Sequence, residues 1–134
     1  MPLLGLDHVA IAVTDLEEAL AHYREVWGLE PVHVERVEDQ GVDEAMLAVG
    51  DSALQLIAPS SPDSTVAAFL DKRGPGLHHV AYEVSDLEAT LDSLRERGVA
   101  LLDEQPRIGG RGRRIAFVHP RANWGVLVEL VERR

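Results

Sequence analysis

The chain writes LDHVAIAV at Leu6–Val13 and LHHVAYEV at Leu77–Val84. Each stretch is an apolar run of β character with a histidine at the same place, His8 and His79. Such runs read as buried strands. The residues after them repeat too. Thr14-Asp15-Leu16-Glu17 and Ser85-Asp86-Leu87-Glu88 match the capping box, so helices are expected with Thr14 and Ser85 as the capping hydroxyls. Leu16, Ala19, Leu20, Tyr23 and Trp27 recur at helical spacing, as do Leu87, Leu91 and Leu94, and Gly28 and Gly98 mark the stops. Extended segments are expected after each helix, at Pro31–Val37, Val42–Val49 and Ala53–Ala58 in the first half. In the second half they are Ala100–Glu104, Arg114–His119 and Gly125–Val131.

Each half therefore reads β-α-β-β-β. The expected layout is one domain over 1–134, with a first module at about 5–60, a linker with a short helix at 61–76 and a second module at about 77–132. Neither half is long enough to cover both faces of a sheet, so the two are expected to share one core in an α+β fold.

Composition narrows the classes. With 134 residues and 46% hydrophobic content the chain can fold around a core. It has no cysteine, which removes disulfides, thiolate metal sites and thiol nucleophiles and fits a cytoplasmic location. No apolar run approaches a membrane span, and the N-terminal residues do not read as a signal peptide. A net charge of −10 argues against nucleic acid as a partner, and Lys72 is the one lysine, so any anion would meet arginines.

The repeat also carries polar residues. Ala53-Leu54-Gln55-Leu56 closes the first module and Leu127-Val128-Glu129-Leu130 the second, each with a polar side chain inside an apolar strand at corresponding places. Burying an uncompensated carboxylate is costly. A single strand histidine is ordinarily a packed, hydrogen-bonded residue. Four repeat-related residues, His8, Gln55, His79 and Glu129, instead make a nitrogen and oxygen site for a divalent metal, with two octahedral positions left open.

DHVAIAV and HHVAYEV, together with GPGLHH, QGVDEA, PRIG…RIAFVHP and GVLVEL, resemble the methylmalonyl-CoA epimerase family of the vicinal-oxygen-chelate superfamily, from about Leu6 to Val131. The resemblance implies two tandem βαβββ modules forming one cup-shaped mixed sheet around a metal. The ligands would be His8, Gln55, His79 and Glu129, and the ion Co²⁺, with Mn²⁺, Ni²⁺ or Zn²⁺ as alternatives. It implies an acyl-CoA substrate, a homodimer, and Glu44 and Glu129 as the two acid/bases that remove and return the C2 proton of methylmalonyl-CoA. Read from the residues alone, Asp43-Glu44 is a solvated pair near a hairpin turn. His78 aligns with Asp7, so its side chain should point away from that of His79 and be structural.

Other readings stay open. A glyoxalase-like isomerase would suit the quartet in outline. A dioxygenase would need only two histidines and a carboxylate on iron, leaving Gln55 without a role. A non-catalytic binding protein would not need the quartet. Pro106–Arg114 is glycine-rich and basic but matches no phosphate loop, and reads either as a flexible hairpin with solvated arginines or as a mobile rim that meets CoA phosphates. His22 and His33 read as ordinary, His119-Pro120 as a strand end, and Trp124 stands where the resemblance calls for a small residue.

Overall fold

The computed structural model describes residues 3–134. Contacts divide it into two compact units. One is Val9–His78; the other joins residues 3–8 with His79–Arg134. The strand β1 (Gly5–Ala12) contributes to both.

In the continuous unit, β1 leads into α1 (Leu16–Trp27), then β2 (Pro31–Val37), β3 (Val42–Val49), β4 (Ser52–Pro59) and α2 (Thr65–Arg73). The strands run β2-β3-β4-β1. β2 and β4 are antiparallel to β3, with a register irregularity between Pro31 and His33. Alternation sorts the side chains. Ala45, Leu47 and Leu56 pack with Leu20 of α1, whereas Val42 and Ile57 pack with Val66 of α2. Glu44, Met46 and Gln55 belong to the second face by the period of two, the face turned away from α1. Gly41, at φ +66°, closes the turn before β3. A Cβ there would lie 2.8 Å from the Ser64 Cβ, so only glycine fits.

In the other unit, β5 (Gly76–Val84) runs parallel to β8 (Leu127–Glu132). Between them come α3 (Leu87–Glu96), a two-residue β6 (Arg107–Ile108) and β7 (Arg114–Val118), in the order β5-β8-β7-β6. Leu87 and Leu91 of α3 pack on Val84, Ala116, Val118, Val128 and Leu130. The opposite face carries Ala81, Ile115, Val131 and Phe117.

The structure departs from the expected elements in several places; β6 is not among them, and β8 begins at Leu127 rather than Gly125. Both helices begin one residue later than the capping box implies. Asp15 and Asp86 are the caps, and their carboxylates accept from Glu18 N and Ala89 N. An aspartate caps as well as a hydroxyl and adds a charge beside the positive helix end, so it outcompetes Thr14 and Ser85. The expected strand at Ala100–Glu104 is also absent; only a Leu101–Val118 bridge remains. There the Asp103 carboxylate accepts Phe117 N at 2.8 Å, and Leu102 N and Asp103 N both turn to Phe117 O. A side-chain acceptor replaces the ladder. Among the described residues no helix is long and apolar enough to cross a membrane.

Candidate active site

His8 lies on β1, His79 on β5 and Glu129 on β8, and all three are buried. The parallel pairing sets Ala81 against Glu129, which places His79 two residues away along β5, on the same face as Ala81. His8 Nε2 lies 3.0 Å and His79 Nε2 3.3 Å from Glu129 Oε1, and the two imidazole nitrogens are 3.2 Å apart. Phe117 backs His79 edge to face.

That triangle fits a metal. Donors bound at about 2.1 Å sit about 3.0 Å apart at an octahedral right angle and about 3.4 Å apart at a tetrahedral one. Both Nε2 atoms also converge on Glu129 Oε1, so without a metal the cluster is closed by imidazole protons donated to that carboxylate. In the metal-free protein the His8 proton is held tightly. Burial opposes the charge on His8, but the Asp7 and Glu129 carboxylates outweigh it and raise its pKa to about 9. Burial likewise opposes charge on Glu129, and hydrogen bonds from His79 and His8 overcome that and bring it down to about 2.

The second layer is explicit. Asp7 Oδ2 lies 2.7 Å from His8 Nδ1, which commits that nitrogen to the proton and leaves Nε2 to face the cluster. Arg113 Nη1 donates to the other oxygen of Asp7 at 2.8 Å. Burial would raise the Asp7 pKa, but the His8 and Arg113 contacts hold it below the usual carboxylate range.

In the Val9–His78 unit, Glu44 and Gln55 are also buried, on the face of the hairpin turned from α1. Gln55 Nε2 donates to Glu44 Oε2 at 2.9 Å. This fixes the amide with its oxygen at the other end, and that Oε1 is buried with no hydrogen-bond partner. A buried amide oxygen left bare is costly. The solvated-pair reading of Asp43-Glu44 fails for Glu44; Asp43 does lie outward, paired with Arg36 at 2.7 Å.

The Glyoxalase/Bleomycin resistance protein/Dioxygenase superfamily matches residues 7–117. A methylmalonyl-CoA epimerase of known structure from Mycobacterium tuberculosis is 48% identical, with a TM-score of 0.94, over 98% of this chain and 89% of its own. The chain belongs to the methylmalonyl-CoA epimerase family. A Streptomyces coelicolor methylmalonyl-CoA epimerase variant, solved in complex with 2-nitronate-propionyl-CoA, is 42% identical with a TM-score of 0.93, over 98% of this chain and 95% of its own. The ethylmalonyl-CoA/methylmalonyl-CoA epimerase of Cereibacter sphaeroides is 40% identical over 127 residues, 93% of this chain and 95% of that protein.

In this member of the epimerase family two arginines of the basic loop are tied to carboxylates, Arg113 at 16% and Arg114 at 40% exposure. Arg113 bonds Asp7, Glu83 and the Glu132 carbonyl, and Arg114 bonds Glu88 and Glu132. Arg107 lies over the Phe117 ring. His78 packs edge to face on Phe69 of α2. His119 caps the turn at Pro120–Asn123, and Trp124, 94% exposed at φ +51°, ends it. Asp7 and Arg113 were not expected at the site. Asp7 neighbours His8 on a strand, where alternation argues for the opposite face, and Arg113 is 106 residues away.

Proposed function

We propose that the protein interconverts the C2 epimers of methylmalonyl-CoA, with His8, Gln55, His79 and Glu129 holding a divalent ion and Glu44 and Glu129 moving the proton. The observation that carries the reading is the buried triangle of His8, His79 and Glu129 in a chain of this family. Gln55 joins the set because it corresponds to Glu129 in the repeat and because its Oε1 is buried and bare. When bound, the ion would supply Lewis-acid stabilisation of the oxyanion that develops on the thioester oxygen.

The chain's own groups divide the rest. Inversion needs an acid/base for each face of C2. Glu44, held by the Gln55 amide, is assigned to one face. Glu129 is assigned to the other through Oε2, since Oε1 faces the imidazoles. Each must accept a proton in one direction and return it in the other. A neutral amide at position 55 keeps the formal charge of the loaded site near +1, which favours an anionic enolate. The reading extends to Co²⁺ as the ion and to a cytoplasmic homodimer. Exposed Trp27, Val32 and Val34 favour association, and the absence of cysteine suits a reducing compartment.

The test is isotope exchange. The protein is treated with chelator, reloaded with Co²⁺ and given (2R)- or (2S)-methylmalonyl-CoA in D₂O. Deuteration at C2 with inversion, dependent on the ion, is expected. Absence of exchange in protein that has taken up Co²⁺ would exclude the reaction while leaving the metal site.

A further inference from the structure

Arg113 closes the glycine-rich turn between β6 and β7. Gly109 N donates to Arg113 O at 2.8 Å and Arg113 N to Gly110 O at 3.3 Å, so its backbone is held at both ends. Gly109 lies against Ile115, where a Cβ would come within 2.7 Å of the Ile115 Cδ1. The Arg113 side chain is only 16% exposed. Its fork meets three acceptors: Asp7 Oδ1 at 2.8 Å, Glu83 Oε2 at 3.3 Å and the Glu132 carbonyl at 3.2 Å. Glu83 is itself gripped from the other side by Arg133 at 2.7 Å.

Asp7 therefore gives one oxygen to Arg113 and the other to His8. A carboxylate held only by an imidazole can rotate about its terminal torsion and exchange its oxygens. A planar guanidinium at the second oxygen fixes that plane, and with it the ring whose Nδ1 it holds. We propose that Arg113 is a positioning residue for the metal ligand His8, acting through Asp7. The inference rests on the metal-site reading above. A lysine would present one ammonium nitrogen where Arg113 uses two nitrogens on a rigid fork, so the guanidinium shape matters as well as the charge.

The test uses the whole chain and reads Co²⁺ affinity together with the visible absorption of the bound ion. Arg113→Ala is expected to weaken Co²⁺ binding by up to about 10-fold, the low end of what losing a ligand's own partner costs, and to shift the absorption bands. Arg113→Lys should fall between, which also serves if the alanine variant does not fold. The double variant Arg113→Ala/Asp7→Ala should bind Co²⁺ no more weakly than Asp7→Ala alone, although the two losses of thermal stability accumulate. Parent affinity and an unchanged spectrum in Arg113→Ala or Arg113→Lys would overturn the proposal, and so would affinity losses that add in the double variant. If the parent chain takes up no Co²⁺, the metal-site reading itself fails; if the parent binds and the variants bind equally, only the role of Arg113 fails.

Discussion

In the β3–β4 hairpin Met46 faces Gln55; in the β7–β8 hairpin Phe117 faces Glu129. Two residues before Met46 stands Glu44, and two before Phe117 stands Ile115, both buried. Each hairpin thus buries one carboxylate, but at different positions and with different partners. Glu44 sits on β3 beside an amide, and Glu129 sits on β8 beside two imidazoles. Duplication supplies register-equivalent positions, and the chemistry comes from filling them unequally. A neutral neighbour suits a group that must trade a proton. Despite burial, the imidazoles beside Glu129 hold its Oε1 and lower its pKa, which leaves Oε2 for proton transfer in the proposed reaction.

The most severe break in that contrast is removal of an imidazole. His79→Ala should abolish measurable Co²⁺ binding and lower kcat/KM by at least about 10³-fold, since several kcal/mol of charge stabilisation would be lost. Metal analysis of the purified variant decides it, because full occupancy would strike His79 from the ligand set. Removing the other hairpin's carboxylate should separate the functions. Glu44→Gln is expected to keep its metal and lose about 10²- to 10⁴-fold in epimerisation. In D₂O it should still exchange the C2 proton of one epimer, by way of Glu129. Near-normal turnover would take Glu44 out of catalysis.

A gentler change makes the hairpins alike. Gln55→Glu should bind Co²⁺ more tightly and turn over about tenfold more slowly, a barrier increase of roughly 1.4 kcal/mol. Its carboxyl would also meet Glu44 where the amide now lies 2.9 Å away. Co²⁺ titration and initial rates measure both effects, and an unchanged kcat would show that neutrality at position 55 is immaterial.

Much of this was legible in the sequence, and the misses have physical causes. β2 and β3 fall at the expected bounds, because alternation and turn glycines act locally. The four polar repeat positions stand out because burial makes a polar residue in an apolar strand conspicuous. The helix caps were missed by one residue, since Thr14-Asp15 and Ser85-Asp86 each offer two competent caps. The segment Ala100–Glu104 has strand composition, but the Asp103 side chain takes the backbone donor of Phe117. Arg113 read as a loop charge because its partner Asp7 is distant in sequence and acidic residues are plentiful in this chain.

The smallest predicted effect concerns the proton held by the second hairpin's cluster. The His8 pKa of about 9 lies above its ordinary 6.5, so its contribution to stability is whole below about 6.5 and is lost as pH rises through 9. The Glu129 pKa of about 2 lies below its ordinary 4.5, so its contribution is whole above about 4.5 and is lost as pH falls through 2. The Tm of metal-free protein should therefore be highest between about pH 4.5 and 6.5 as far as these groups decide it. Metal displaces the His8 proton, so loading should flatten the alkaline decline. Thermal melts with chelator and with Co²⁺ across pH would show this, and identical alkaline slopes would count against it.

The division of the chain also has a temporal side. Val9–His78 is continuous in sequence, whereas residues 3–8 belong with His79–Arg134. Leu4 N reaches its acceptor only when Glu83 arrives. At about 5–20 residues per second on the ribosome, the 71 residues from His8 to His79 take roughly 4–14 s to synthesise. His8 is thus made well before His79 and Glu129, and the three can meet only after Glu129 has emerged.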